Sequence, residues 1–351
     1  MRPYRREIGF TSLGNPYAYT VFLVPRVTPE ILNCVVYLFE SVEAAELGTA
    51  PGGTGFLTYC GDVWPGHFYV VTAGHVVKAG ATVVRLNTKP QGGEPAGSEA
   101  ISITTWLPGD PDDLAVAPIE PPDEYRHDIA AIPMQAYLDE DQATEGVIGV
   151  GDECLIPGRF LRHQGGDRNR PLIRFGNVAA WPAERIHIER LGHSQESVFI
   201  EARSLSGYSG SPVFAYQGAR ISEDSMWVEP GTEPTRFWFL GVDYLHFNDF
   251  AEVVGADRKT PVSPTQFAKE HSGFAAVIPA WRVCDLLNAD VLRRQREENE
   301  EMWEKERPSD TEAELDTSTS ESEFERFDDL THKLANTPKS EVDELRKKES
   351  G

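Results

Sequence analysis

From residue 30 to 287 the apolar positions come in short runs, rich in β-branched and aromatic residues and separated by Gly, Pro, Asp and Asn. NCVVYLFE, GTGFLTY, FYVVTAG, ATVVRLN, DLAVAPI, VIGVGDECLIPG, LIRFGNVAAW, SVFIEA, SPVFAY, FWFLGVDYLHF and GFAAVIP are the clearest. Runs of this kind with turn residues between them predict an all-β sandwich or barrel. Helical periodicity is confined to Pro279–Leu287 (PAWRVCDLL), expected to close the domain. The texture then changes. VLRRQREENEEMWEKER is charged and helix-prone but lacks the apolar residues to bury a face, and SDTEAELDTSTSESEFE has the composition of a disordered segment. Three parts follow: an N-terminal extension (1–29), a folded domain (30–287) and an acidic tail (288–351), partly helical or disordered, either solvated or used for docking another protein. No internal repeat is visible.

Charge narrows the function classes. The 351 residues carry a formal net charge of −23. The stretch from Arg293 onward holds −8 of it, so the folded part remains strongly acidic. An acidic surface argues against nucleic acid and anionic membranes as partners, because phosphates need clustered Lys and Arg. No basic n-region is followed by an apolar h-region, and no run approaches the ~20 apolar residues of a membrane span. Cys34, Cys60, Cys154 and Cys284 are scattered, with neither a disulfide framework nor metal-ligand spacing. Four free thiols, mostly buried, fit a reducing compartment, so a cytoplasmic setting is expected, with no metal and no cofactor.

SLSGYSGSPVF, residues 204–214, poses the chemical question. Gly207 and Gly210 leave the backbone around Ser209 uncrowded, so the N–H groups of Gly207 and Ser209 can converge on one point. Two donors aimed at a developing oxyanion are a large electrostatic term in acyl transfer. A serine hydroxyl is a weak nucleophile without a base. FYVVTAGHVV delivers His75 at a strand end, where an imidazole suits general-base work near neutral pH. DPDDLAVAPI leads a buried strand with Asp113, a carboxylate that costs stability unless paired, for instance with an imidazole N–H. Asp128 in RHDIAAIP is the alternative acid. The order His, Asp, Ser in an all-β chain excludes a serine esterase of the α/β-hydrolase type, which needs alternating strands and helices and the order Ser, acid, His.

TAGH at His75, DLAV at Asp113 and GYSGSPV at Ser209 resemble the trypsin-like serine peptidases of the chymotrypsin fold, closest in style to the bacterial glutamyl endopeptidases and high-temperature-requirement proteases. The resemblance spans roughly residues 30–287. It implies two six-stranded antiparallel β-barrels, the first about 30–140 and the second about 146–287, with the substrate cleft between them. It implies His75 as general base, Asp113 as its orienter, Ser209 as nucleophile, and Gly207 and Ser209 as the oxyanion hole of an endopeptidase acting on polypeptides. A catalytically silent or partner-activated binding module of the same fold is the rival. Tyr208 stands where zymogen-activated relatives carry an aspartate, so activation by N-terminal cleavage is not expected.

Specificity is less legible. The family pattern places the base of the first specificity pocket on Arg203, which would favour an acidic side chain; pointing outward, it would instead pair with a surface carboxylate. FLGVDYLHF resembles the strand that pairs with substrate, making Val242, Asp243, Tyr244 and His246 candidate substrate-binding residues. Arg159, Arg162, Arg168, Arg170 and Arg174 form a basic patch that either draws acidic peptides or pairs with the protein's own acids. The insertions 217–236 and 248–272 are expected to rim the cleft, and HIERLGH, with His187 and His193, reads as a surface strand and turn rather than a metal site.

Overall fold

The computed structural model describes residues 27–49, 52–61, 66–120, 122–123, 125–159, 166–181, 184–189, 192–202, 207–216, 237–253, 262–263 and 267–306. The chain divides into two compact units, 1–289 and 290–351.

The first unit begins with a short helix α1 (Pro29–Asn33), strand β1 (Val35–Phe39) and helix α2 (Val42–Leu47). Strands β2 (Gly53–Cys60) and β3 (His67–Ala73) follow, then a single helical turn α3 (Gly74–Lys78). Next come β4 (Val83–Asn87), β5 (Ser98–Ser102), β6 (Leu107–Pro108), β7 (Leu114–Ile119) and β8 (Ile132–Pro133). They form one curled sheet of eight strands in the order β5-β4-β1-β2-β3-β7-β6, with β8 added parallel to β2. The first of the two expected barrels is, among the described residues, a curled half-barrel sheet, in keeping with the expected two-barrel architecture. Its two edges account for this: β6 is two residues long, and β5 reads SEAIS, polar and only half-buried. Short polar edge strands do not template further pairing.

Helix α4 (Glu140–Thr144) leads into the second half, with an Asp139/Gln142 capping box at its start. Strands β9 (Glu153–Gly158), β10 (Leu172–Ala180), β11 (Ile186–Ile188), β12 (His193–Gln195), β13 (Val198–Ala202), β14 (Pro212–Tyr216), β15 (Phe237–Glu252) and β16 (Phe267–Pro279) follow, then helix α5 (Ala280–Leu287). Six of them close a barrel, β10-β13-β16-β15-β14-β9, while β11 and β12 form a separate hairpin where HIERLGH lies. Alternate residues point inward: Val198, Ile200 and Ala202 from β13, Val213 and Ala215 from β14, Trp238 and Leu240 from β15, Ala275 and Val277 from β16. The segment 248–272 is in part strand, because β15 and β16 continue their pairing out to Glu252↔Phe267; the other insertion, 217–236, lies outside the described residues.

The face of β14 and β15 that carries Phe214 and Phe239 is also buried, against the first sheet. The Phe239 ring packs at 5.1 Å from Phe56, 4.6 Å from Tyr137 and 6.1 Å from Phe214. An aromatic seam of this kind carries both apolar burial and favourable tilted ring contacts. A second tie is polar. Arg85 of β4, fully buried over the Phe39 ring, donates to Asn169 Oδ1 and Gly166 O ahead of β10. Those bonds satisfy a guanidinium that would otherwise be costly to bury.

In the second unit, α6 (Asp290–Glu306) is the described element, the helix expected from the charged VLRRQREENEEMWEKE stretch. No helix among the described residues is long and apolar enough to cross a membrane.

Candidate active site

His75 sits in the first turn of α3, immediately after β3. Antiparallel pairing of β3 with β7 sets Ala73 opposite Leu114, which brings Asp113 alongside Gly74 and His75. The Asp113 carboxylate is used twice: Oδ1 accepts the His75 backbone N–H at 2.7 Å, and Oδ2 meets His75 Nδ1 at 2.6 Å. The Gly74 N–H donates to Asp113 O at 2.8 Å. A side chain at Gly74 would crowd the pair, since its Cβ would lie 3.0 Å from Asp113 Oδ1. Asp113 is buried, while the His75 side chain keeps 25% exposure, so the pair is anchored inside and open on the imidazole's far edge.

Asp128 does not approach His75. Its carboxylate takes Arg168 Nη2 at 2.8 Å and Asn33 Nδ2 at 3.3 Å. The alternative acid is thus spent on a surface ion pair.

Ser209 belongs to a turn held by the first sheet. Thr54 of β2 donates its hydroxyl to Gly207 O at 2.8 Å and its N–H to Ser209 O at 3.2 Å, and Thr72 of β3 donates to Thr54 O at 2.7 Å. Gly210 has φ +88°, and a Cβ there would lie 2.0 Å from Thr54 O and 2.3 Å from Thr72 Oγ1. Only glycine lets the turn approach this closely. The donors divide cleanly: Gly210 N–H goes to Asp243 O and Ser211 N–H to Tyr208 O, whereas the N–H groups of Gly207 and Ser209 make no hydrogen bond among the described residues. His75 Nε2 and Ser209 Oγ are not hydrogen-bonded to each other. Tyr208 is a core residue of the closed barrel, its ring pressed on Gly158, Arg174 5.1 Å from its centroid and its phenol pKa raised by burial.

The strand after the Ser209 turn differs from expectation. Val242 pairs with Pro212 on one side and Ile278 on the other, and Asp243 donates its N–H to Ser211 O and accepts from Gly210. Both are fully buried, so neither presents backbone or side chain to a substrate at the surface. The register with β14 ends at Val242, and β15 runs on through Tyr244 and His246 against β16. Tyr244 is buried, shares a 2.7 Å hydrogen bond with Ser197 Oγ, and burial pushes its pKa up to about 12. Asp243 has neither carboxylate oxygen hydrogen-bonded; His246 Nε2 lies 3.4 Å from Oδ2, and burial holds the carboxyl pKa well above the usual range. Arg203 lies outside the described residues, as does Arg162. Of the remaining arginines of the basic patch, Arg168 pairs with Asp128, Arg174 lies over Tyr208 and Arg159 is buried, whereas Arg170 stays exposed with Asp167 4.0 Å away. Thr54 and Thr72, which hold the serine turn, were not singled out by the sequence reading. The small residues of GTGF and the Thr in VTAGH were the available signal. No group of three metal-ligating side chains occurs among the described residues.

Residues 53–221 match the family described as the trypsin-like peptidase domain. No curated protein matches the chain. Among solved structures, the inactive-form Rv3671c of M. tuberculosis H37Rv, a serine-to-alanine mutant, shares 16% identity over 73% of this chain and 86% of that one, with a TM-score of 0.36. A second structure, the Rv3671c protease in its inactive form, shares 16% identity over 73% and 88%, with a TM-score of 0.35. Scores this low add nothing to the fold argument. The mostly β body and the chain order His75, Asp113, Ser209 agree with the similarity of residues 53–221, just under half of the chain, to the trypsin-like peptidase domain.

Proposed function

We propose that the protein is a serine endopeptidase. His75 acts as base, Asp113 orients it, Ser209 is the nucleophile, and the Gly207 and Ser209 N–H groups form the oxyanion hole. The observation that carries this reading is the two-point grip of Asp113 on His75. With Nδ1–H held toward the carboxylate, the lone pair of Nε2 is left to take a proton. Ser209 Oγ attacks the scissile carbonyl as its proton passes to Nε2, and the carbonyl oxygen becomes an oxyanion facing the two N–H groups. Collapse expels the amine, which takes the proton from His75 and leaves an acyl-serine. Water, deprotonated by the same nitrogen, then releases the acid and restores the serine. The free state of Cys34, Cys60, Cys154 and Cys284 supports a reducing compartment such as the cytoplasm as its setting.

A second reading, a partner-gated form, has one observation in its favour: no hydrogen bond joins His75 to Ser209. Hydrolysis of a fluorogenic peptide library, with Ser209→Ala as control and fluorophosphonate labelling of Ser209, tests the proposal. Turnover that survives Ser209→Ala would overturn it. Labelling without turnover would favour the gated form.

A further inference from the structure

We infer that Gln195, on the β11–β12 hairpin, is a positioning residue for Asp113. This deepens the peptidase reading and rests on it for the catalytic part. Asp113 has four polar attachments besides chain neighbours. Three are to one short segment: its C=O accepts from Gly74, and its two carboxylate oxygens take the His75 N–H and Nδ1. The fourth is the Asp113 N–H, which donates to Gln195 Oε1 at 2.9 Å across 82 residues of sequence. It is the attachment, among the described residues, that ties the acid to the second half of the fold.

The amide of Gln195 has one possible orientation. Oε1 must face the Asp113 N–H, because a backbone donor cannot face an NH2 group. Nε2 is then directed at acceptors and finds two, Asp112 Oδ1 at 3.1 Å and Glu196 O at 3.1 Å. The side chain is fully buried, so no water substitutes for either end. Asp112 is gripped in turn by Arg185, from just ahead of β11, and by Arg282 Nε of α5 at 2.7 Å. The 112–113 peptide is thereby clamped between the hairpin and the closing helix, and the carboxylate that follows inherits its direction. Removing Gln195 leaves the Asp113 N–H buried and unmet, and the peptide is free to rotate toward another acceptor.

The test compares Gln195→Leu with Gln195→Glu in the full chain, by steady-state kinetics and by the downfield proton resonance of the His75 Nδ1–H shared with Asp113, assigned through His75→Ala. Thermal melting checks that each variant folds. For Gln195→Leu the expected result is loss or exchange broadening of that resonance, with a fall in kcat of about tenfold and little change in KM. Gln195→Glu keeps an acceptor for the Asp113 N–H but sets its second oxygen against Asp112 Oδ1 and Glu196 O, so it is expected to fall below the parent and to recover the resonance as pH is lowered and the new carboxyl takes a proton. A folded Gln195→Leu with an unaltered resonance would overturn the inference. The resonance decides this even where Ser209→Ala retains turnover, an outcome that sinks the peptidase mechanism alone.

Discussion

Asp113→Asn isolates the orienting carboxylate with almost no change in shape. In the native arrangement Oδ1 accepts the His75 backbone N–H at 2.7 Å, and Oδ2 meets Nδ1 at 2.6 Å. The amide of the variant must keep its oxygen on the backbone N–H, since an NH2 there would place donor against donor. Its NH2 group then faces Nδ1 and can only donate to it. That forces the imidazole proton onto Nε2, the atom required to accept the serine proton. The base is therefore absent in the dominant tautomer rather than displaced. A loss of kcat of about 10⁴-fold is expected, equivalent to ~5.5 kcal/mol of transition-state stabilisation, while binding of the rest of the substrate leaves KM little changed. The assay is kcat and KM on the best library peptide at neutral pH, with a melting curve to show that the fold survives. A folded variant within tenfold of the parent would refute the tautomer argument and, with it, Asp113 as orienter.

Two further substitutions probe the surroundings. Gly210→Ala forces a side chain into φ +88° and against Thr54 O; the conformation alone costs about 1–2 kcal/mol, and the clash adds displacement of the serine turn. Loss of fluorophosphonate labelling at Ser209 is the expected readout, and normal labelling kinetics would contradict the close approach. Asp243→Asn addresses the buried carboxyl between His246, Tyr208 and Cys154. Its folded-state pKa is raised by burial, so the native protein favours the protonated form, and ionisation costs stability increasingly as pH climbs above ~4, the unfolded value. Relative to the parent, the variant should gain stability with rising pH and gain nothing at acid pH. Urea unfolding at both ends of that range checks the sign, and a gain independent of pH would show that the carboxyl is not the cause.

The fold class was readable because runs such as SVFIEA and SPVFAY alternate on a period of two with turn residues between them, and their inward positions are those that fill the closed barrel. The half-barrel form of the first sheet goes with edges that are short and polar, SEAIS on one side and a two-residue strand on the other. At the site, motifs marked His75, Asp113 and Ser209, because each chemistry needs a particular residue type beside small neighbours. The pairing of β3 with β7, which sets Asp113 rather than Asp128 beside His75, is a register and emerges only in three dimensions. Gln195 escaped notice for the same reason: a glutamine after a polar turn carries no local signature, and its partner lies 82 residues away. The strand 242–246 misled in an informative way. Its resemblance to a substrate-pairing edge is sound as a sequence pattern, but Val242 and Asp243 are consumed by Ser211, Gly210 and the flanking strands.

The Thr54 hydroxyl reaches Gly207 across 153 residues of chain. During synthesis, therefore, the strand that will steady the serine turn emerges long before the turn itself, and β16, which closes the barrel around it, comes later still. The nascent chain carries His75 and Asp113 well before it carries Ser209. On the peptidase mechanism proposed above, proteolytic competence is thus the last property this polypeptide acquires, and the ribosome, its chaperones and the chain's own unfinished strands meet no completed site while the protein is being made.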